Sequence, residues 1–204
     1  MPIDLSPYLK PSECSIIVFE CQENVIGAGS QLPGLVASVR EGGILGSIAD
    51  LLTAARSAGA GVFYCTAEAR ADGLGRARTP MHDRMERSGI PVSDTPDVSI
   101  VKEIAPEPGD VVIARGHGMS GFYKTGLDPC LRDRGTRTVI PVGVSLNIGI
   151  LGTTIEAVNH GYRVVVPRDC VAGDPPEYGQ QVLQYTIRNL AYVTSASEIR
   201  AAWA

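Results

Sequence analysis

Short runs of β-branched and other apolar residues recur along this chain, each followed by a longer amphipathic or polar stretch, and that alternation constrains the fold more than any other feature. Ser15–Phe19 (SIIVF), Gly61–Thr66 (GVFYCT), Val111–Arg115 (VVIAR), Thr138–Val144 (TVIPVGV) and Tyr162–Pro167 (YRVVVP) read as strands, with Tyr192–Thr194 a candidate short sixth. Runs that are apolar at consecutive positions suit strands covered on both faces, which is the condition of a parallel sheet sandwiched by helices. Between them, Ile44–Ala58 carries Ile44, Leu45, Ile48, Leu51, Leu52 and Ala55 at helical spacing, and Gly59 and Gly61 end it. Gly126–Arg134, Ile150–Asn159 and Pro176–Leu190 read as further helices. Strand–helix–strand repetition predicts a three-layer, doubly wound α/β fold with right-handed crossovers. At 204 residues the expectation is one domain spanning 1–204.

Composition narrows the function classes. The formal net charge is −4 and no dense basic run occurs, so the electrostatic footprint of a nucleic-acid binder is missing. No apolar run reaches membrane-spanning length, and the first residues lack the basic-then-apolar pattern of a signal peptide. Five cysteines, Cys14, Cys21, Cys65, Cys130 and Cys170, form no CxxC pair. They are expected to be buried thiols in a reducing, cytoplasmic setting rather than a disulfide framework or a zinc site. No metal or cofactor motif is present.

In an open parallel sheet the site forms outside the carboxyl ends of the strands. The first strand runs into Glu20-Cys21-Gln22, the third ends Arg115-Gly116-His117-Gly118, and the fourth continues through Ser145, Asn147 and Gly149 into a helix. A carboxylate, a guanidinium and an imidazole are therefore expected at one crevice. Glu20 suits a general acid or base, Arg115 a clamp on an anionic group, and His117 a proton-transfer or orienting role. Each has an ordinary alternative: a strand-end ion pair, a surface arginine, a structural histidine. Cys21 is expected to face away from Glu20 if strand geometry persists. His82 and His160 carry no motif and read as solvated. Two long segments, Cys21–Gly43 and Arg70–Glu107, follow the first two strands and are candidates for covering a site.

The order of motifs in Ile16–Gln22, Gly109–Leu127, Val139–Ala157 and Gly161–Ala172 resembles the isochorismatase-like superfamily of cysteine hydrolases. The resemblance implies a six-stranded parallel sheet and a site built from an aspartate, a lysine and a cysteine. Here those positions hold Glu20, Arg115 and Gly149. It further implies a cis peptide at Val144–Ser145, substrate or oxyanion contacts from Gln22, Ser145, Asn147, Gly149 and Phe122, and a homo-oligomer, dimer or tetramer. It gives the metal ligands of nicotinamidases no counterpart. Glycine cannot form the acyl-enzyme that amide hydrolysis uses in this superfamily, and guanidinium does not shuttle protons as lysine does. Isochorismatases also carry glycine there and hydrolyse a vinyl ether without a nucleophilic side chain, although they keep aspartate and lysine. The expectation is acid/base-assisted hydrolysis of a small organic molecule, with Glu20, Arg115 and His117 as the catalytic set. The alternatives are a lyase or isomerase on the same frame and a ligand-binding relative without catalysis. Convergence of Glu20, Arg115 and His117 on a closed, partly apolar pocket near Gly149 favours an enzyme, and a crevice filled by side chains sinks both catalytic readings.

Overall fold

The computed structural model describes residues 4–68, 70, 72–75, 77–87 and 97–204. Six parallel strands make one sheet: β1 (Cys14–Phe19), β2 (Gly61–Ala67), β3 (Val111–Arg115), β4 (Thr138–Gly143), β5 (Arg163–Pro167) and β6 (Tyr192–Thr194). Their order is β3-β2-β1-β4-β5-β6. The chain winds outward from β1 to β3, returns to the other side of β1, and winds outward again. The reversal between β1 and β4 is the topological switch point, the place above two strand ends where open α/β sheets form their ligand crevice.

All six residues of β1 and all six of β4 are buried. The reading of continuous apolar runs as two-faced central strands therefore holds. Even-numbered Ile16 and Val18 enter one core with Ile48, Leu51 and Leu52 of α3 (Ile44–Ala58) and Ile199 of α8 (Ala196–Ala202). Odd-numbered Ile17 and Phe19 enter the other, with Leu127 and Leu131 of α5 (Leu127–Asp133), Ile150 and Ile187. Helix α3 ends as expected at Gly59, whose φ of 80° is a left-handed position that glycine adopts freely. Edge strand β3 is covered on one face only, with Val112 half-exposed.

Several further elements sharpen or correct the sequence reading. Within Cys21–Gly43 the chain forms α1 (Glu23–Ile26) and α2 (Pro33–Glu41), the second begun by Pro33. Within Arg70–Glu107 it forms α4 (Pro80–Arg87) and a turn at Lys102–Ile104; residues 88–96 of that segment lie outside the described residues. The single helix expected over Pro176–Leu190 is α7 (Pro176–Gln181) followed by a wider π turn at Val182–Thr186 and a tighter 3₁₀ turn at Ile187–Asn189. That change of pitch keeps Val182, Leu183 and Ile187 in the core. Helix α8 was not anticipated, yet its Ser195-x-x-Glu198 start is a complete capping box. No described helix is long and apolar enough to cross a membrane.

Candidate functional site

Strand β1 stops at Phe19 because Glu20 takes a φ of 51°, a left-handed conformation rare outside glycine. This inverts the strand's alternation. Cys21 joins Ile16 and Val18 on the α3 side, whereas the Glu20 carboxylate reaches the opposite side. Cys21 thus faces away from Glu20, but through the flip at Glu20 rather than through continued pleating.

The expected meeting of Glu20 with Arg115 occurs. Arg115 Nη2 forms an ion pair with Glu20 Oε1, and Nη1 donates to the carbonyl oxygen of Gly118. Strand β2 lies between them, so the pair spans two strand spacings, roughly 10 Å. A long side chain from each strand end closes that gap. The guanidinium lies 5.1 Å from the centroid of the Phe19 ring. Only 4% of the Arg115 side chain is exposed, against 23% for Glu20. The cation is thus inside the fold and the carboxylate at its rim. Burial pulls the Arg115 pKa below the ordinary arginine value.

Gly149 lies under that arrangement. Val144–Ser145 is a cis peptide, as the family resemblance implied. From Ser145 the chain enters a π turn, Leu146–Ile150, which leads into α6 (Leu151–Asn159). The Ser145 carbonyl accepts from the amides of Ile148 and Ile150. A β-carbon on Gly149 would fall within the van der Waals envelope of the Phe19 ring. Phe19 therefore occupies the space a side chain at 149 would need. Asn147 Oδ1, His117 Nε2 and Arg115 Nε are buried without a hydrogen-bond partner among the described residues. Native folds leave few such atoms unpaired, and these three lie on segments at the carboxyl ends of β3 and β4.

The other sequence candidates separate. His117 is not hydrogen-bonded to Glu20 or Arg115; its ring meets Tyr123 edge-on, with centroids 5.5 Å apart. Gln22 is a brace rather than a substrate contact. It is fully buried, its Nε2 donates to the carbonyls of Ala67 (3.1 Å) and Val98 (3.0 Å), and its Oε1 accepts from Ala67 N (2.6 Å). Phe122 is a core residue, stacked on His160 at 5.1 Å and packed near Tyr162. The 116–126 loop runs along α6, and Phe122 sits where that helix ends, away from its start at the crevice. His160 is exposed, as expected, with its ring stacked on Phe122 and facing Asp128, whereas His82 is half-buried and bonds Thr79 at 2.8 Å.

Two groups at this edge escaped the sequence reading. Glu68 follows β2 directly and accepts from Thr66 Oγ1 at 2.9 Å. Its placement after an apolar run is the same signal that singled out Glu20. Phe19 carried no local signal, because its partner at 149 is 130 positions away. Four of the five cysteines are poor thiolate substitutes for the missing side chain at 149: burial pushes the Cys14, Cys21 and Cys65 thiols up to about 12, and raises that of Cys170 too. Among the described residues no three His, Cys, Asp or Glu side chains cluster as metal ligands would.

A family model described as the isochorismatase domain matches residues 14–198. The chain is 30% identical over 195 residues to a ureidoacrylate amidohydrolase of Rhizobium rhizogenes, covering 88% of this chain and 78% of that one. It is 31% identical over 159 residues to a maleamate amidohydrolase of Pseudomonas putida, covering 74% and 68%. Among solved structures, a cysteine hydrolase from Pseudomonas syringae pv. phaseolicola superposes with a TM-score of 0.77 at 25% identity, covering 100% of this chain and 95% of that one. An isochorismatase family protein from Desulfovibrio vulgaris gives 0.78, also at 25%, covering 93% and 97%.

Proposed function

Because the chain belongs to the isochorismatase domain family, we infer that it hydrolyses a small organic molecule at the β1/β4 crevice without a cysteine nucleophile. The observation that carries this reading is the packing of Phe19 over Gly149, which leaves no room for a nucleophilic side chain. Relatives named ureidoacrylate and maleamate amidohydrolases support hydrolysis, with an amide or ureido bond among the candidates, and the glycine at 149 adds a vinyl ether to them.

Glu20 would act as the base. Its ion pair with the buried Arg115 favours the charged carboxylate, and its partial exposure lets water reach it. In the proposed step a water proton passes to Glu20 as the water oxygen bonds to the reacting carbon. The same proton then goes to the departing nitrogen as its bond to carbon breaks. For a vinyl ether, Glu20 in its protonated form would instead give its proton to the enol-ether carbon. Water would add to the oxocarbenium carbon and return a proton to Glu20, and the hemiketal would release the departing oxygen as an alcohol. Arg115 would hold developing negative charge, and the turn from Ser145 to Gly149 would orient the substrate through its backbone and Asn147. His117, with Nε2 unpartnered, would orient substrate or relay the proton.

A second reading, ligand binding without turnover, draws on the same Phe19 packing, since a filled crevice leaves less space for a reacting molecule. Cavities of about 300 and 520 Å³ both lie elsewhere. A panel of enol ethers, amides and ureido acids separates the readings. Hydrolysis that falls at least about a hundredfold in Glu20→Gln and survives iodoacetamide supports catalysis. Binding without turnover across the panel supports the second reading. Activity unchanged in Glu20→Gln, or abolished by iodoacetamide, sinks the proposed mechanism.

A further inference from the structure

Helix α6 is inverted for a surface helix. Thr153, Thr154 and Ala157 are buried, whereas Ile155 and Val158 stand outward, 41% and 40% exposed. A helix on the surface of a monomer normally turns its aliphatic residues to the core and its polar ones to water. Here two hydroxyl groups are inside, and Thr154 Oγ1 has no hydrogen-bond partner among the described residues. Glu156 is the one charged residue of α6, and its carboxylate accepts from Ser120 Oγ of the 116–126 loop.

The exposed apolar surface continues onto the neighbouring elements. Among the described residues seven large hydrophobic side chains are exposed, and five of them, Tyr123, Ile155, Val158, Tyr178 and Tyr185, belong to this one helical layer. Thr153 Oγ1 accepts from Gly121 N, so that side of α6 meets the 116–126 loop. Ile155 and Val158 lie on the far side of the helix from Thr153. They therefore face α7, which leads from β5 to β6. Tyr178 and Tyr185 stand about two turns apart along α7 and the π turn that continues it, which sets them on one side.

We propose that this α6–α7 face is where a second copy of the chain docks, making a two-fold dimer. A fully covered tyrosine buries about 150–250 Å², so the exposed parts of the five side chains come to on the order of 500 Å². Each partner in a stable complex contributes about 800 Å², and homodimer interfaces are about 65% apolar. The patch thus supplies the apolar part of one partner's share. Its wealth of tyrosine and shortage of charge are the composition of an interface core. Its flanks carry opposite charges: Lys124 on the 116–126 side and Glu177 at the start of α7 are both exposed, and neither is in an ion pair among the described residues. A two-fold axis along α6 sets each flank against the opposite flank of the other copy, so that Lys124 meets Glu177 twice. The face lies outside the crevice, so the proposal is independent of the hydrolysis panel.

Sedimentation velocity and light scattering of the full chain over a dilution series test it, with circular dichroism to show that each variant is folded. The wild type should run at twice the mass of the chain or a multiple of that. Ile155→Asp/Val158→Asp puts two charges into the covered centre and should raise the dissociation constant at least about a hundredfold. Tyr178→Ala/Tyr185→Ala only removes apolar area and should raise it at least about tenfold. Val112→Asp, at an exposed apolar position on β3, should leave association unchanged. A wild type that stays monomeric at every concentration, undiminished association in any folded double variant, or an equal loss in Val112→Asp overturns the dimer face.

Discussion

The two edges of the sheet handle positive charge in opposite ways. At the carboxyl edge Arg115 is drawn inside, laid over Phe19 and neutralised by Glu20. At the amino edge Arg137 and Arg163 stand in solvent, the first 3.6 Å from Glu13 and the second over the Tyr8 ring. A buried cation without its partner is strongly unfavourable, whereas an exposed one is nearly neutral to stability and free to meet a ligand. Charge at the first edge is therefore part of the fold, and charge at the second contributes little to it. That contrast is the point most open to attack by mutation.

Its largest expected effect is at Arg115. Substitution by Ala removes the partner of Glu20, the bond to Gly118 O and the contact with Phe19. Breaking a buried pair costs about 3–5 kcal/mol, and the partly exposed Glu20 sets this case at the lower end, about 3 kcal/mol. Arg137→Ala and Arg163→Ala should each change stability by no more than about 0.5 kcal/mol. Urea midpoints measure all three. Comparable losses at both edges would erase the distinction.

Next in size is the Phe19–Gly149 contact. Gly149→Cys forces a side chain into the Phe19 ring and should cost about 2 kcal/mol. Phe19→Val opens the space that the thiol needs, so the double variant should lose at least about 1 kcal/mol less than the sum of the two single losses. A strictly additive cycle would mean that the ring moves aside at little cost and that the crevice is softer than its packing implies.

The sheet was legible because its signal is local. Continuous apolar runs gave strands to within a residue or two at each end, and Ile44–Ala58 coincides with α3. Glu20 and Arg115 were legible as strand-end polar groups in an architecture that gathers strand ends. What escaped depends on distant contacts. Phe19 matters because of a glycine in another strand's connection, and Gln22 looks like a substrate contact until its bonds to Ala67 and Val98 are seen. Phe122 looked like a site residue by position along a motif, yet the loop that carries it runs down α6 and away from the crevice. The π and 3₁₀ turns after α7 leave the helical periodicity nearly intact, so sequence alone reads one helix there.

The smallest effect concerns Cys21, next to Glu20 in sequence and turned into the α3 core. Its thiol is raised from 9.0 to about 12 by burial alone. The folded protein therefore holds that proton more tightly than the unfolded chain. The associated stability is complete below pH 9 and is lost as pH rises through about 12, with a slope approaching 1.4 kcal/mol per pH unit for one thiol. Other buried groups, Tyr64 and Cys65 among them, add to alkaline destabilisation. The difference between the wild type and Cys21→Ala isolates this one: the variant's stability should decline less steeply above pH 9, read from urea midpoints at each pH. In the native state at pH 8, Ellman's reagent should modify the half-buried Cys130 first and leave Cys21 untouched. If Cys21 reacts as fast as Cys130, the end of β1 opens in solution, and a thiol beside Glu20 returns as a candidate nucleophile at the edge where charge is otherwise locked inside.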